Sequence, residues 1–240
     1  MNTNQPPRIF DDAHATAEGS LAKNFVANVF SWMVVGLLIT GFVASYAASS
    51  VWCKNVMASG GLMMWVILLS PFAFIIAMNA GLQKFSATTL TVLFLAFSGV
   101  MGLSLSSVFL VYSMGSITQV FLITAGTFAV MAFAGYTTSV DLSKFGALLF
   151  MALIGIIIAS IVNFFTQSQN PMMDFIISVG GVLVFTGLTA YDTQRIKRIG
   201  AGVEYGSSGA TKLAILAAVS LYLNFVNLFL FLLRLLGGRN

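Results

Sequence analysis

Seven apolar runs divide this 240-residue chain, at approximately Phe25–Ala48, Leu62–Met78, Thr88–Tyr112, Thr118–Ala134, Phe145–Phe165, Phe175–Asp192 and Leu213–Leu236. A helix needs about 20 residues to cross a hydrocarbon core of about 30 Å, so each run is long enough, or nearly so, to span a bilayer. Strands are excluded. Backbone groups in lipid must be satisfied within their own segment or in a closed barrel, and these runs lack the period-2 alternation of barrel strands. Only 8% of the residues are charged and 58% are hydrophobic. A soluble domain carries roughly 25% charged residues, and disorder requires low hydrophobicity, so both classes fall away. The expected fold is all-α, a polytopic integral membrane protein built as a seven-transmembrane helix bundle. Residues 1–24 read as a polar, mobile cytoplasmic tail, 25–236 as the membrane domain and 237–240 as a short C-terminal tail. The first segment carries Asp11, Asp12 and Glu18 where a signal peptide would be basic.

Between the runs lie turn-forming sequences such as Ser59-Gly60-Gly61, Gly115-Ser116 and Asn170-Pro171. With the N-terminus inside, eight cations fall on the inner side: Arg8, Lys23, Lys84, Lys144, Arg195, Lys197, Arg198 and Lys212. Three fall outside: Lys54, Arg234 and Arg239. This asymmetry predicts a cytoplasmic N-terminus and an external, periplasmic C-terminus. The cations are dispersed among the runs, which argues against a nucleic-acid partner. Tyr46, Trp52, Trp65, Tyr112 and Tyr136 fall near the proposed interfaces and are expected to anchor there. Cys53 has no partner for an intramolecular disulfide and reads as a small buried residue. Helices in lipid associate through close packing, so small residues are expected at their contacts. Gly36 and Thr40 on the first span, Gly99, Gly102 and Ser106 on the third, Gly155, Ala159 and Asn163 on the fifth, and Gly180, Gly187 and Ala190 on the sixth carry that expectation. Such a stripe could equally line a pore.

Acidic groups inside a membrane are costly and mark function. Asp141, Asp174 and Glu204 are expected in loops, which leaves Asp192 at the inner end of the sixth span. A carboxylate near a helix C-terminus faces the negative end of the macrodipole, so a capping role is excluded. Two readings remain: an ion pair with Arg195 three residues on, or a titrating, cation-binding group. On the seventh span, Ser220, Asn224 and Asn227 share a face, with Arg234 close to it. That face must turn into the bundle, either for interhelical hydrogen bonding or to bring Asn224 to Asp192 in a polar cavity. Depth complicates the second reading. Asn224 lies about 18 Å beyond Lys212 and Asp192 only about 9 Å from Arg198, which leaves Ser220 as a rival partner.

Missing residues exclude several membrane chemistries. The single histidine, His14, lies in the tail, which removes a Ser–His protease or a His-bound zinc hydrolase. No second intramembrane aspartate completes an aspartyl dyad, no lysine lies within the bundle for a Schiff base, and no phosphate-binding loop is present. The expectation is a non-enzyme with no cofactor.

The run Gly187-Leu-Thr-Ala-Tyr-Asp-Thr-Gln-Arg-Ile-Lys197, followed by Ser220-Leu-Tyr-Leu-Asn-Phe-Val-Asn-Leu-Phe229 and Leu-Leu-Arg234, resembles the Bax inhibitor-1 (TMBIM) family. Gly135-Tyr-Thr-Thr, Asp141-Leu-Ser and Met151-Ala-Leu-Ile-Gly155 are similar to its bacterial, YccA/YbhL-like branch, and the likeness runs from about Val26 to Arg234. The resemblance implies a bundle around a central seventh span and placement in the bacterial inner membrane. It also implies a pH-sensitive calcium leak controlled by two aspartates that share a proton. The first maps onto Asp192, also the implied calcium contact. The second maps onto position 224, where this chain has Asn224. An Asp–Asn pair lacks the mutual repulsion of two carboxylates, so weaker calcium attraction and a displaced or simpler pH response are expected. The competing reading is a non-transporting regulator that binds another membrane protein, such as a membrane protease.

Overall fold

The computed structural model describes residues 9–166, 170–204 and 206–238, with the backbone alone at 9–20. Among the described residues it is wholly helical: α1 (Ile9–Ser49), α2 (Val51–Ser59), α3 (Leu62–Ala80), α4 (Ala87–Val111), α5 (Met114–Thr137), α6 (Ser143–Phe165), α7 (Pro171–Ala201) and α8 (Ser208–Leu236). Seven of these are long and apolar enough to cross a membrane, and α2, a nine-residue connector, is not. The chain is therefore a multi-pass membrane protein whose first solvent is the lipid bilayer.

The sequence expectation misses several helix ends, most of all at α1 and α7. Helix α1 starts at Ile9, so residues 9–24 of the polar segment are helical, and only the window from Leu21 is apolar enough to span. The part of the expected tail before Ile9 lies outside the described residues, as do residues 239–240 of the C-terminal one. Helix α7 does not stop at Asp192 but runs nine residues further, to Ala201. The reason is that Gln194, Arg195, Lys197 and Arg198 are sound helix formers, so hydropathy falls there while the helix does not. At its other end α7 is begun by Asn170, whose side chain accepts from the Met172 N–H, with Pro171 at the first helical position. Asp174 thus belongs to the first turn of α7 and not to a loop, and Asn163 of α6 donates to it at 2.8 Å.

Helix α8 is the axis of the bundle, packed by α1, α4, α5 and α7, while α3 rests on α4 and α6 on α7. Within the spanning windows, 56% of α8 is buried against 6% of α6. Tyr222, Leu221, Leu228 and Ile215 of α8 are completely enclosed. The Tyr222 hydroxyl meets Thr40 of α1 at 2.7 Å, and the Thr40 hydroxyl in turn reaches the Ser98 carbonyl of α4 at 2.9 Å. Three helices are stitched where no water can satisfy these groups.

Close approach is bought by glycine at two crossings above all. A Cβ at Gly102 of α4 would strike Val43 and the Thr40 carbonyl of α1, and one at Gly135 of α5 would run into the Ala190 backbone of α7. Gly36 and Gly187 also sit at tight contacts, as expected for packing. Gly99 and Gly155 do not: a Cβ at either meets nothing within 4 Å, so these two glycines carry no interhelical contact. Cys53 is buried as anticipated, its Sγ 3.2 Å from Ser106.

Candidate functional site

Asp192 faces the bundle interior. Its exposure is 4% and that of Asn224 is 5%, and the Asn224 amide Nδ2 donates to its Oδ2 at 2.7 Å. Helix α7 supplies the acid and the central α8 the amide, and the backbone contact at Gly135–Ala190 seats α5 against α7 two residues before Asp192. Ser220, one turn from Asn224, lines the same cavity beside this carboxyl group. The rival partner and the expected one are thus both present, with Asn224 making the direct amide bond. Asn227 lines the same space, although its amide donates to the Leu223 carbonyl of its own helix at 2.8 Å.

Arg195 makes no ion pair with Asp192 among the described residues; it points outward and acts on the carboxyl group only at longer range. Arg234 also leaves the polar face. It is exposed, with its guanidinium 5.6 Å from the ring centre of Phe231.

The carboxyl group of Asp192 opens onto a cavity of about 700 Å³ between α3, α4, α6, α7 and α8. Its walls are aliphatic and aromatic, with Ser104, Ser107, Ser160, Ser220, Asn224 and Asn227 as its uncharged polar groups. One of these has a structural task. Pro71 of α3 has no N–H for the Ile67 carbonyl, and Ser104 of α4 donates to that orphaned oxygen at 2.7 Å while Ser70 donates at 2.9 Å. The break in the α3 ladder is therefore repaired from across the cavity wall.

Calcium takes six to eight oxygen ligands, usually with several carboxylates. Among the described residues no group of three or more His, Cys, Asp or Glu side chains converges anywhere. Asp192 supplies one negative charge, and the serine and asparagine oxygens supply dipoles only. Such a set can attract a cation in passing; it is not a cage that would retain one.

A second polar cluster closes the same end of α7. Gln194, buried to 7% exposure, donates to the Val140 carbonyl at 2.7 Å and accepts from the Leu142 N–H at 2.9 Å. Arg198 pairs with Asp141 and reaches Ser143 at 2.9 Å. The Arg198 guanidinium, aided by the Ser143 N–H and hydroxyl, holds the fully exposed Asp141 carboxyl well below the usual carboxylate range. Lys197 donates to the Tyr136 carbonyl at 2.8 Å and lies 4.8 Å over the Tyr136 ring. Tyr136, expected as a membrane anchor, is therefore occupied by a cation. Tyr46, Trp52 and Trp65 are exposed as that role requires.

Sequence reasoning did not single out Gln194. The available signal was its place four residues before Arg198 on a helix that the polar run does not interrupt. The cavity serines carried no signal beyond their occurrence in apolar spans.

A family model described as "Inhibitor of apoptosis-promoting Bax1" matches residues 22–240. The "Inner membrane protein YbhL" of Escherichia coli (strain K12) is 45% identical over 218 residues, covering 90% of this chain and 92% of that protein. A protein of Borreliella burgdorferi is 44% identical over 220 residues, covering 91% and 94% respectively. A Rickettsia prowazekii protein is 37% identical over 220 residues, covering 90% of each. With the seven-span bundle, the central α8 and these matches along nearly its whole length, the chain belongs to the Bax inhibitor (Bax1-I) family.

Proposed function

We propose that this protein is a proton-responsive cation leak of the bacterial inner membrane, with calcium as its physiological ion and no catalytic chemistry. The observation that carries the reading is the Asp192–Asn224 contact: a carboxyl group enclosed by the bundle, free of any ion-pairing partner among the described residues, at the wall of a large cavity. Membrane-embedded acids mark ion pathways and proton relays. Asp192 is the proton- and cation-sensing group, Asn224 and Ser220 orient it, and Asn227 lines the approach. Because a neutral amide stands where two carboxylates would share a proton, the response is shallower than a dyad would give. The inner-membrane placement follows the name of the Escherichia coli relative, and the cytoplasmic N-terminus follows the distribution of cations.

The test is calcium flux into vesicles containing the purified protein, measured across pH 5 to 8. Flux should vary with pH for the wild type, lose that variation in Asp192→Ala, and vary more steeply in Asn224→Asp. Flux and pH dependence left intact by Asp192→Ala would remove the sensor role.

One observation favours the second reading, a regulator that binds another membrane protein. Helix α1 is 41 residues long, or about 60 Å, twice the hydrocarbon thickness. Its polar first third therefore projects beyond the membrane as a helical arm. If deleting residues 1–20 strips co-purifying membrane proteins while flux is retained, the arm serves regulation.

A further inference from the structure

The cavity beside Asp192 has a form that a pathway for a small inorganic ion does not need. Phe72 of α3 and Phe150, Ile157 and Ile161 of α6 line it, and each is between 45% and 60% exposed. Helix α6 packs on α7 and little on α3, the Trp65–Phe164 ring contact aside, so these side chains border a gap between α3 and α6. The space is thus a cleft reached sideways from the acyl region, with apolar walls and one acid at its inner end. Its volume, about 700 Å³, is that of a site for an organic molecule and not for a bare ion.

Charge selects the occupant further. Among the described residues, Asp192 is the single charged side chain lining the cavity, and no lysine, arginine or histidine lines it. A fatty-acid carboxylate or a lipid phosphate would meet a carboxyl group and no cation. A divalent ion would be attracted in passing but not retained by a single carboxylate. A single ammonium on an apolar tail matches all of it: the N–H groups would meet Asp192 Oδ1, the oxygen that Asn224 leaves free, the uncharged hydroxyls of Ser220 and Ser160 tolerate its polar rim, and the tail fills the aliphatic cleft.

We propose that the α3/α6 cleft is a binding site for lipophilic monoamines, with the ammonium on Asp192 and the tail lying between α3 and α6. The site stands independently of calcium conduction, since it requires only the acid, the cleft and its opening to lipid. An amine seated there would also occupy the sensing carboxyl group and the space next to it.

The experiment uses the full chain in phosphatidylcholine nanodiscs. Binding of radiolabelled dodecylammonium is measured by equilibrium dialysis against empty nanodiscs of the same lipid, with labelled dodecanol as the uncharged counterpart. Saturable, one-to-one dodecylammonium binding is expected, weakened about tenfold or more by Asp192→Asn, which removes a charge-assisted hydrogen bond and keeps the shape. Dodecanol should bind both proteins alike, and more weakly than dodecylammonium binds the wild type. Ile157→Trp, on the little-buried α6, leaves Asp192 in place and should weaken dodecylammonium by filling the cleft. Equal dodecylammonium affinity for wild type and Asp192→Asn, or dodecanol binding as tight as dodecylammonium to the wild type, overturns the proposal. If Asp192→Asn does not fold, unchanged binding by Ile157→Trp overturns it instead. Flux is not the readout, so failure here leaves the leak reading standing, and a protein that never conducts calcium leaves this one standing.

Discussion

Asp192 and Asp141 both meet α7 and are held in opposite ways. Asp141 is exposed, and its charge is answered by the full positive charge of Arg198. Asp192 is enclosed, and its direct partner is the uncharged amide of Asn224. In water an ion pair costs little and adds little, because solvent screens both charges. Within a bundle an ion pair would be far stronger, and it would also neutralise the acid permanently. A neutral donor fixes the position of the carboxyl group without cancelling its charge, so the acid keeps an unspent attraction for a proton or a cation. Asp141 ties a loop to a helix, while the holding of Asp192 is what the proposed sensing role requires.

The largest effect should come from taking away that neutral donor. Asn224→Leu leaves the carboxyl group enclosed beside an apolar side chain, and leaving a buried acceptor without its donor costs about 1–3 kcal/mol, more when the acceptor is charged. Thermal unfolding in nanodiscs should show a substantial fall in midpoint at neutral pH. An unchanged midpoint would mean that Ser220 alone can hold the acid, and the contrast between the two aspartates would lose its basis.

An intermediate effect should follow at the clasp. Gln194→Ala removes its hydrogen bonds to Val140 and Leu142, which tie the α5–α6 loop to α7. Water can reach Val140, which is 58% exposed, so the cost should be about 1 kcal/mol. Amide hydrogen exchange should quicken at residues 138–142 and stay slow around Asp192. Acceleration at both places would show that the clasp also positions the buried acid, merging two regions that are here separate.

The spans were legible in the sequence because the bilayer imposes one length and one polarity, and each of the seven apolar runs falls on one spanning helix, although α7 runs nine residues past its expected end. The end of α7 was not legible by the same measure. Hydropathy reports where a chain is apolar, whereas helix formation persists through Gln194, Arg195, Lys197 and Arg198 at little propensity cost. The Asp192–Asn224 contact could be anticipated because both are polar groups in apolar spans and each must face inward. Counting depth from Lys212 and Arg198 obscured it, since those cations are bound to different partners, Leu82 and Asp141, and mark no common level. The outward turn of Arg195 and the open sides of Gly99 and Gly155 depend on which neighbour lies opposite, which spacing along one helix does not contain.

The smallest effect is expected at Asp141, and its dependence on conditions separates it from Asp192 most sharply. Its folded carboxyl group titrates below the ordinary value of 3.8, so its stabilising contribution is complete above that value and disappears as pH falls through the lower folded one. Between pH 5 and 8 the difference in unfolding midpoint between wild type and Asp141→Asn should therefore be small and flat, shrinking only in strong acid. It should also shrink on raising salt from 0.05 to about 1 M, where screening acts over about 3 Å. The loss in Asn224→Leu, arising at a carboxyl group enclosed by the bundle and away from bulk solution, where screening is weak, should persist at the same ionic strength. A salt-sensitive Asn224→Leu with a salt-insensitive Asp141→Asn would invert the assignment of the buried and the exposed acid.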